Sequence, residues 1–442
     1  MIQLLEFKER LILLAIFAFM LLFLAATFFI PVFLLVFVSA ALWLFVMIVY
    51  FLLLVDKRVE GHAKRSKYSP PVSIIVPVYN SIGTLKKFFE YVKKINYSGK
   101  IEIICVEDGS TDGSREFLEK VKGIRLIKCK KNSGCKATPL NKGIALAKYE
   151  YVVCLDSDTY PEPEILNKMM GYFDDDPKVG AVGSMILPDK NKSIVQKIQY
   201  IEYAMGLGLW ASALSALNSR TTIPGAMVVM RKKVIKEIGG GFDPDNLTED
   251  MEIVMRLQKH GYKVKTCFEA LALTDVPNTL KKMFIQRERW FRGRIFNLIK
   301  YKELFFSRKN FDLGFFGLPY LFFLEILSVV LILRVVIMFF ADALNFLQVE
   351  STVAGLSGSF GYFTFQNPVI SPFMVIAVAS YAFMFVYYFL ALHAIHFKPQ
   401  ALDYLVILIN VLLYPYFICF VYFESFLKEM IGTGSKWVRV ST

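Results

Sequence analysis

Two aspartates separated by one serine, Asp156-Ser157-Asp158, follow the apolar run Tyr151-Val152-Val153-Cys154-Leu155. Carboxylates at the end of a buried strand place hard oxygen ligands side by side in one loop. Such ligands suit a divalent cation, and such a cation neutralises a departing diphosphate. Three other stretches carry related chemistry. In Glu107-Asp108-Gly109-Ser110, the glycine lets the backbone turn and the Asp108 carboxylate is placed to bond a base or ribose, or simply to close an Asx-turn. In Thr248-Glu249-Asp250, Asp250 is a candidate base for an acceptor hydroxyl, while both acids would also favour a helix N-terminus. In Gln286-Arg287-Glu288-Arg289-Trp290, Arg289 offers a fork for phosphate oxygens and Trp290 a flat face for a sugar ring, or else a membrane anchor. Lys136, after Asn132-Ser133-Gly134-Cys135, is a second cation for a diphosphate or a solvated loop lysine. Arg292 and Arg294 read as membrane-surface cations. In this order the stretches point to sugar transfer from a nucleotide donor at a membrane surface.

The elements that must hold these residues alternate. Val72–Val76, Ile101–Val106, Ile124–Lys128 and Tyr151–Leu155 are short β-branched or apolar runs. Helical segments follow from about Leu85, from Ser114 and over Lys142–Lys148. Strands and helices at this spacing predict a parallel sheet covered on both faces, with ligands outside the carboxyl ends of the strands. Both acidic clusters fall at such ends. Ser193–Leu217 predicts a long helix, and Thr248 an N-cap for a helix running to about His260. Residues 278–310, basic and aromatic, predict an amphipathic helix in a membrane interface.

Composition sets the surroundings. Of 442 residues 55% are hydrophobic and 20% charged, and the mean hydropathy is +0.47. Membrane spans joined to a water-soluble domain reconcile these values. Residues 11–55 hold no charged side chain, enough for two spans of about 20 residues each and too long for a cleaved leader. The expected organisation is a cytoplasmic lead-in at 1–10, a two-helix hairpin at 11–56, a cytoplasmic catalytic domain at 70–277, interfacial helices at 278–312, about three spans within 313–424, and a basic tail at 425–442. Apolar spans are expected at 315–341, 369–395 and 402–423, and Pro415 is a candidate break in the last. Five spans would leave the C-terminus outside, whereas Lys428, Lys436 and Arg439 suggest the cytoplasm. Glu325 and Arg334 lie within a span, where ionisable groups pair, snorkel or serve function. The net charge of +13 gathers beside the spans, for example at Lys57, Arg58, Lys281 and Lys282, which favours anionic lipid over nucleic acid. The six cysteines form no CxxC pair, so a zinc site is not expected and a reducing compartment is.

On these motifs the chain resembles the membrane-embedded family 2 glycosyltransferases, which include cellulose, hyaluronan, chitin and poly-N-acetylglucosamine synthases. The resemblance covers about residues 70–295 and rests on Asp108, Asp156/Asp158, Thr248-Glu249-Asp250 and Gln286/Arg289/Trp290. Val76-Pro77-Val78-Tyr79-Asn80, Lys136 with Leu140-Asn141-Lys142-Gly143, and Pro224-Gly225-Ala226 leading to Gly240-Gly241-Phe242 fit as well.

The resemblance implies an α/β GT-A fold, a Rossmann-like mixed sheet set between N- and C-terminal transmembrane helices. It further implies a multi-pass protein of the cell membrane, a nucleotide-sugar donor, usually uridine-linked, a Mg²⁺ or Mn²⁺ ion, and inversion at the anomeric carbon. By the same resemblance, Asp250 with Glu249 is the catalytic pair, and Pro77, Tyr79, Asp108, Lys136, Asp156, Ser157, Gln286 and Arg289 bind the donor. Trp290, Gly225 and Thr248 lie by a glycan or lipid acceptor, and Asp158 with Asp156 holds the metal. The chain departs from the family pattern at Ser81, where Glu is common, at Glu107, where Asp is frequent, and at Cys135, which looks inserted before Lys136. Processive polysaccharide synthesis is the expected activity. The alternatives are addition of one sugar to a lipid, and a transporter or scaffold that binds nucleotide sugars without chemistry.

Overall fold

β-branched residues dominate the strand β1 (Val72–Val78), six of whose seven residues are buried. Its side chains alternate between two cores, Ile74, Val76 and Val78 entering one and Ile75 the other. A strand buried on both sides reads as a continuous apolar run, and each fully buried Val or Ile contributes about 1.5–3 kcal/mol. The protein is seen here as a computed structural model, which describes residues 4–30, 34, 38, 66–174, 176–189, 193–206, 211–357, 382, 385–389, 392–393, 395 and 397–434.

The other strands are β2 (Ile101–Glu107), β3 (Arg125–Lys128), β4 (Tyr151–Leu155), β5 (Thr159–Pro161), β6 (Val179–Pro188), β7 (Met227–Arg231) and β8 (Lys263–Thr274). They form one sheet in the order β3-β2-β1-β4-β7-β6-β8-β5. Its first four members are parallel, as the strand-and-helix alternation predicts. Beyond β4 the sheet is mixed: β7 is antiparallel to β4 and β6, and β5 to β8, while β6 and β8 run parallel. This combination is a GT-A-like α/β sheet. On one face lie the helices Ile82–Val92 and Ile165–Asp174, and on the other Ala137–Leu146 and Glu249–Lys259.

Two helices differ from the sequence reading. The segment read as Lys142–Lys148 is a helix over Ala137–Leu146. Pro139 falls in its first turn, where a missing N–H costs nothing because no carbonyl precedes it to accept. Within the long helix expected over Ser193–Leu217, Ile194–Tyr203 and Ala211–Ala216 are α-helical and residues 204–206 widen into a π-turn, while 207–210 lie outside the described residues.

Among the described residues two helices, Phe7–Thr27 and Asp312–Met338, are long and apolar enough to cross a membrane. The pair Ala401–Leu412 and Tyr414–Ile431, bent by 44°, makes a third if taken as one span. The break sits beside Pro415, at the start of the second helix. Most of residues 31–56 and of the 369–395 segment lie outside the described residues.

The helix Leu280–Lys300 joins the two halves of the molecule. Expected at a lipid interface, its residues Arg287, Phe291, Arg292, Ile295 and Asn297 are buried instead. Phe291 meets Tyr422 edge to face, with centroids 5.3 Å apart. Arg292 and Arg294, read as membrane-surface cations, turn inward: Arg292 Nε donates to Glu429 at 2.5 Å, and Arg294 pairs with Glu325. Glu325 and Arg334 therefore do not pair with each other. Arg334 donates to the carbonyls of Thr27 and Ile30 at the end of the first helix.

The Arg292–Glu429 pair is about 95% buried on both sides, so Arg292→Ala strands a carboxylate in a dry environment. We expect that variant to lose about 3–5 kcal/mol of stability in denaturant unfolding, and Arg292→Met with Glu429→Leu to recover most of it.

Candidate active site

Strand ends assemble the site. In β1, Val78 pairs with Glu107 of β2, and Ile75 with Cys154 of β4, so Tyr79, Asp108 and Asp156 emerge along one edge. Leu155 of β4 lies opposite Met227 of β7, and Asp156 N–H donates to the Ala226 carbonyl at 2.9 Å. The antiparallel strand thereby delivers Gly225 to the first aspartate. All fourteen residues singled out from the sequence line one cavity of about 480 Å³.

Lys136 is the hub of that cavity. Its ammonium lies 2.6 and 2.7 Å from the two Asp156 oxygens, donates to the Gly225 carbonyl at 2.9 Å, and stands 3.9 Å from Glu249. Burial pulls its pKa down, but Asp156, Glu249 and Asp250 outweigh burial and hold it above the ordinary lysine value. Burial pushes the Glu249 carboxyl up to about 7, with Asp250 adding to the rise and Lys136 and Arg289 opposing it. Burial also raises Asp250, against Lys136 and Arg289. Asp250 accepts from Gly225 N–H at 3.2 Å and from Met251 N–H at 2.8 Å. Cβ on residue 225 would sit 3.0 Å from that carboxylate oxygen, so a larger residue there would make the carboxylate give by a few tenths of an ångström.

Asp108 is 2% exposed. Its Oδ2 accepts from Ser133 N–H at 3.0 Å and Ser133 Oγ at 2.6 Å, while Oδ1 is buried without a hydrogen-bond partner. A buried, unsatisfied carboxylate oxygen in a cavity wall is a built-in acceptor for a ligand N–H or O–H. The family departures are structural. Ser81 Oγ bonds Ser157 Oγ at 2.9 Å, between the two aspartates. Glu107, fully buried, pairs with Arg115 at 2.6 Å.

Asp156 and Asp158 both face the cavity. Among the described residues no group of three or more His, Cys, Asp or Glu is placed to hold a metal. Two carboxylates still fit Mg²⁺ or Mn²⁺, because such ions take one or two carboxylates and complete their shell with substrate phosphate and water.

Several positioning residues carry no sequence motif that identifies them. Arg287, only 1% exposed, forks onto Glu202 at 3.1 and 2.5 Å and lies 4.2 Å above the Trp290 ring. Asn297 donates to Thr248 Oγ1 at 3.0 Å and exchanges bonds with Asn246, which accepts from Thr248 N–H. These contacts bind the segment bearing Asp250 to the helix bearing Arg289. Polar residues on an amphipathic helix give no hint of partners some fifty residues away in sequence.

Residues 73–239 match the family model described as Glycosyl transferase family 2. The chain carries a family 2 glycosyltransferase domain. The chain is 34% identical over 227 residues to a poly-beta-1,6-N-acetyl-D-glucosamine synthase of Staphylococcus aureus, covering 50% of this chain and 54% of that protein. A Staphylococcus epidermidis synthase of the same name is 34% identical over 225 residues, with the same coverage. The chain spans about half the length of the curated relatives it matches. Among solved structures, a Pyrobaculum calidifontis mannosyltransferase in complex with GDP-Man and Mn²⁺ superposes with a TM-score of 0.53 at 19% identity, covering 86% of this chain and 99% of that one. That likeness is one of fold.

Gly293 marks where the two parts of the site touch, since a Cβ there would lie 2.9 Å from Thr248 Cβ. Gly293→Ala must push the helices apart. Overpacking of this kind costs about 1–3 kcal/mol, so we expect a melting point lower by several degrees and turnover reduced more than nucleotide affinity.

Proposed function

We propose that this glycosyltransferase moves a sugar from a nucleotide-sugar donor, uridine-linked, to a glycan acceptor at a membrane surface, inverting the anomeric carbon and extending a polysaccharide. The observation that carries the reading is the placement of the Asp250 carboxylate on Gly225 N–H, in one cavity with Asp156, Asp158 and Arg289. The likeness to poly-N-acetylglucosamine synthases supports a polymer as product. In this reading the catalytic domain faces the cytoplasm and the apolar helices cross the cell membrane more than once, which the candidate spans support.

The acceptor hydroxyl attacks the anomeric carbon as the bond to the diphosphate breaks. Asp250 takes the hydroxyl proton, with Gly225 N–H and Met251 N–H orienting its carboxylate. Asp108 holds the nucleoside through its unsatisfied oxygen, with Pro77 and Tyr79 as neighbouring walls. Lys136 and Arg289 face the negative charge that develops on the departing diphosphate, and Gln286 and Ser157 line the donor side. A Mg²⁺ or Mn²⁺ ion held by Asp158 and Asp156 would share that neutralisation. Trp290, pressed on one face by Arg287, presents its ring to the acceptor sugar beside Thr248 and Gly225. Addition of a single sugar to a lipid is the second reading, favoured by the apolar end of the cavity at Phe291 and Leu321.

Purified protein incubated with a panel of radiolabelled nucleotide sugars and Mn²⁺ should give a ladder or high polymer on sizing; one lipid-soluble product would establish the second reading instead. Asp250→Asn should lower turnover by about 10²–10⁴-fold while retaining nucleotide binding. The base must be ionised, and burial raises its pKa, so the acidic limb of turnover should lie above the ordinary carboxylate range. Glu249, held up to about 7, keeps its proton while Asp250 ionises, so Glu249→Gln removes no charge at that stage and should leave the acidic limb in place. A limb that moved to lower pH would show that Glu249 ionises first and would contradict the assignment of base and neighbour.

A further inference from the structure

The cavity holds a cation that the chemistry above does not use. Arg220 is 3% exposed and lines the same cavity, yet its Nε and Nη2 are buried without a hydrogen-bond partner, and it forms no ion pair among the described residues. Burial alone holds its pKa down at about 10. A dry guanidinium with idle donors costs stability unless something anionic meets it.

The position of Arg220 narrows what that anion is. It precedes Gly225 by five residues, on the segment that carries the acceptor side of the site. Its neighbour Ser219 donates to the Asp312 carbonyl at 2.9 Å, at the foot of the candidate span Asp312–Met338. The same cavity is walled by Leu214, Phe291 and Leu321, the last within that span. The donor's anionic groups already have Lys136 and Arg289. The idle fork therefore lies on the membrane side of Asp250, beside apolar side chains: a polar head next to a greasy wall.

We propose that Arg220 is the binding residue for a phosphate group on an amphiphilic acceptor, a lipid headgroup whose phosphate enters the cavity from the membrane side. This rests on the glycosyl-transfer reading in its second form, transfer to a lipid, and names a chemical class for that acceptor. A guanidinium forks onto two phosphate oxygens, whereas a neutral glycan alone would leave it unpaired.

Full-length protein in an uncharged detergent is titrated with hexyl phosphate, inorganic phosphate, hexanoate and hexyl glucoside, and separately with UDP, by calorimetry. These affinities are read without any turnover, so they stand even if the transfer reading fails. Hexyl phosphate should bind wild type, and both Arg220→Gln and Arg220→Met should weaken it by about tenfold or more with UDP affinity unchanged. Inorganic phosphate, hexanoate and hexyl glucoside should each bind at least about tenfold more weakly than hexyl phosphate. Inorganic phosphate binding as tightly would identify a free anion and not a headgroup, and tighter hexanoate would identify an acidic glycan; each overturns the proposal. Variants that lose UDP and keep hexyl phosphate would return Arg220 to the donor. In the absence of ligand, Arg220→Met should melt no lower than wild type, since it removes an unpaired buried charge; a melting point several degrees lower would make Arg220 a structural strut and refute its role as a binding residue.

Discussion

A single buried ammonium, that of Lys136, makes the acidic cavity physically tenable. Asp156, Glu249 and Asp250 converge within reach of it. Carboxylates brought so close in a dry cleft would otherwise hold protons at neutral pH, and neither metal binding nor base catalysis would be open to them. By pairing with Asp156 and bonding the Gly225 carbonyl, Lys136 also fixes the distance between the end of β4 and the segment before β7. A lysine in place of an arginine suits this post. Its compact charge can turn among three acceptors, and a donor diphosphate entering the cavity can take a share without dismantling the rest.

The second constraint is the helix Leu280–Lys300, which carries Gln286, Arg289 and Trp290 while touching both the sheet domain and the apolar helices. Buried ion pairs seldom add net stability over apolar packing, but they penalise misplaced neighbours heavily. Arg292 with Glu429 therefore acts as a registration pin between the helix and the apolar segments, with the partly exposed Arg294–Glu325 pair a weaker tie beside it. On the other side Asn297 and Asn246 secure the turn before Asp250. Asp250, the proposed base, and Arg289, the proposed phosphate ligand, are thus both tied to one helix that also packs against the apolar helices. Any motion of those helices that accompanies passage of a product would reach Arg289 through side chains packed without slack.

Much of this was legible in the residues, for reasons that differ from part to part. The strands β1 to β4 announce themselves because each is a short β-branched run ended by a turn residue, and carboxylates just past such ends have nowhere to go but the ligand edge. The far half of the sheet is quieter. β8 follows the helix Glu249–Lys259 after one turn, and its sequence Lys-Val-Lys-Thr-Cys-Phe-Glu-Ala mixes charge with apolar residues, its charged positions being the less buried ones. Pro139 concealed the start of its helix, since proline breaks a helix interior but not a first turn. Arg287 was harder still: lying between Gln286 and Arg289, it has the composition of a surface cation, and only Glu202, from a distant helix, reveals it as a buried strut.

Arg220 extends that lesson in the opposite direction. A buried arginine with a partner, such as Arg287, is explained by the fold that surrounds it. A buried arginine without one is not, because the folded chain alone gives nothing in return for stripping its water. Selection for stability would replace it with methionine or leucine of similar volume, as buried charges elsewhere tolerate. Its place in a cavity wall makes sense if a gain appears only when something is bound, as proposed. The same logic applies to the unsatisfied Asp108 Oδ1 at the donor end. The two orphaned groups have opposite sign, one offering an acceptor and the other a donor fork, with Asp250 in the cavity they share. On the proposed reading, a cavity so polarised would match two ligands that differ in kind: a nucleoside with hydrogen-bond donors to give, and an acceptor that brings negative charge with it.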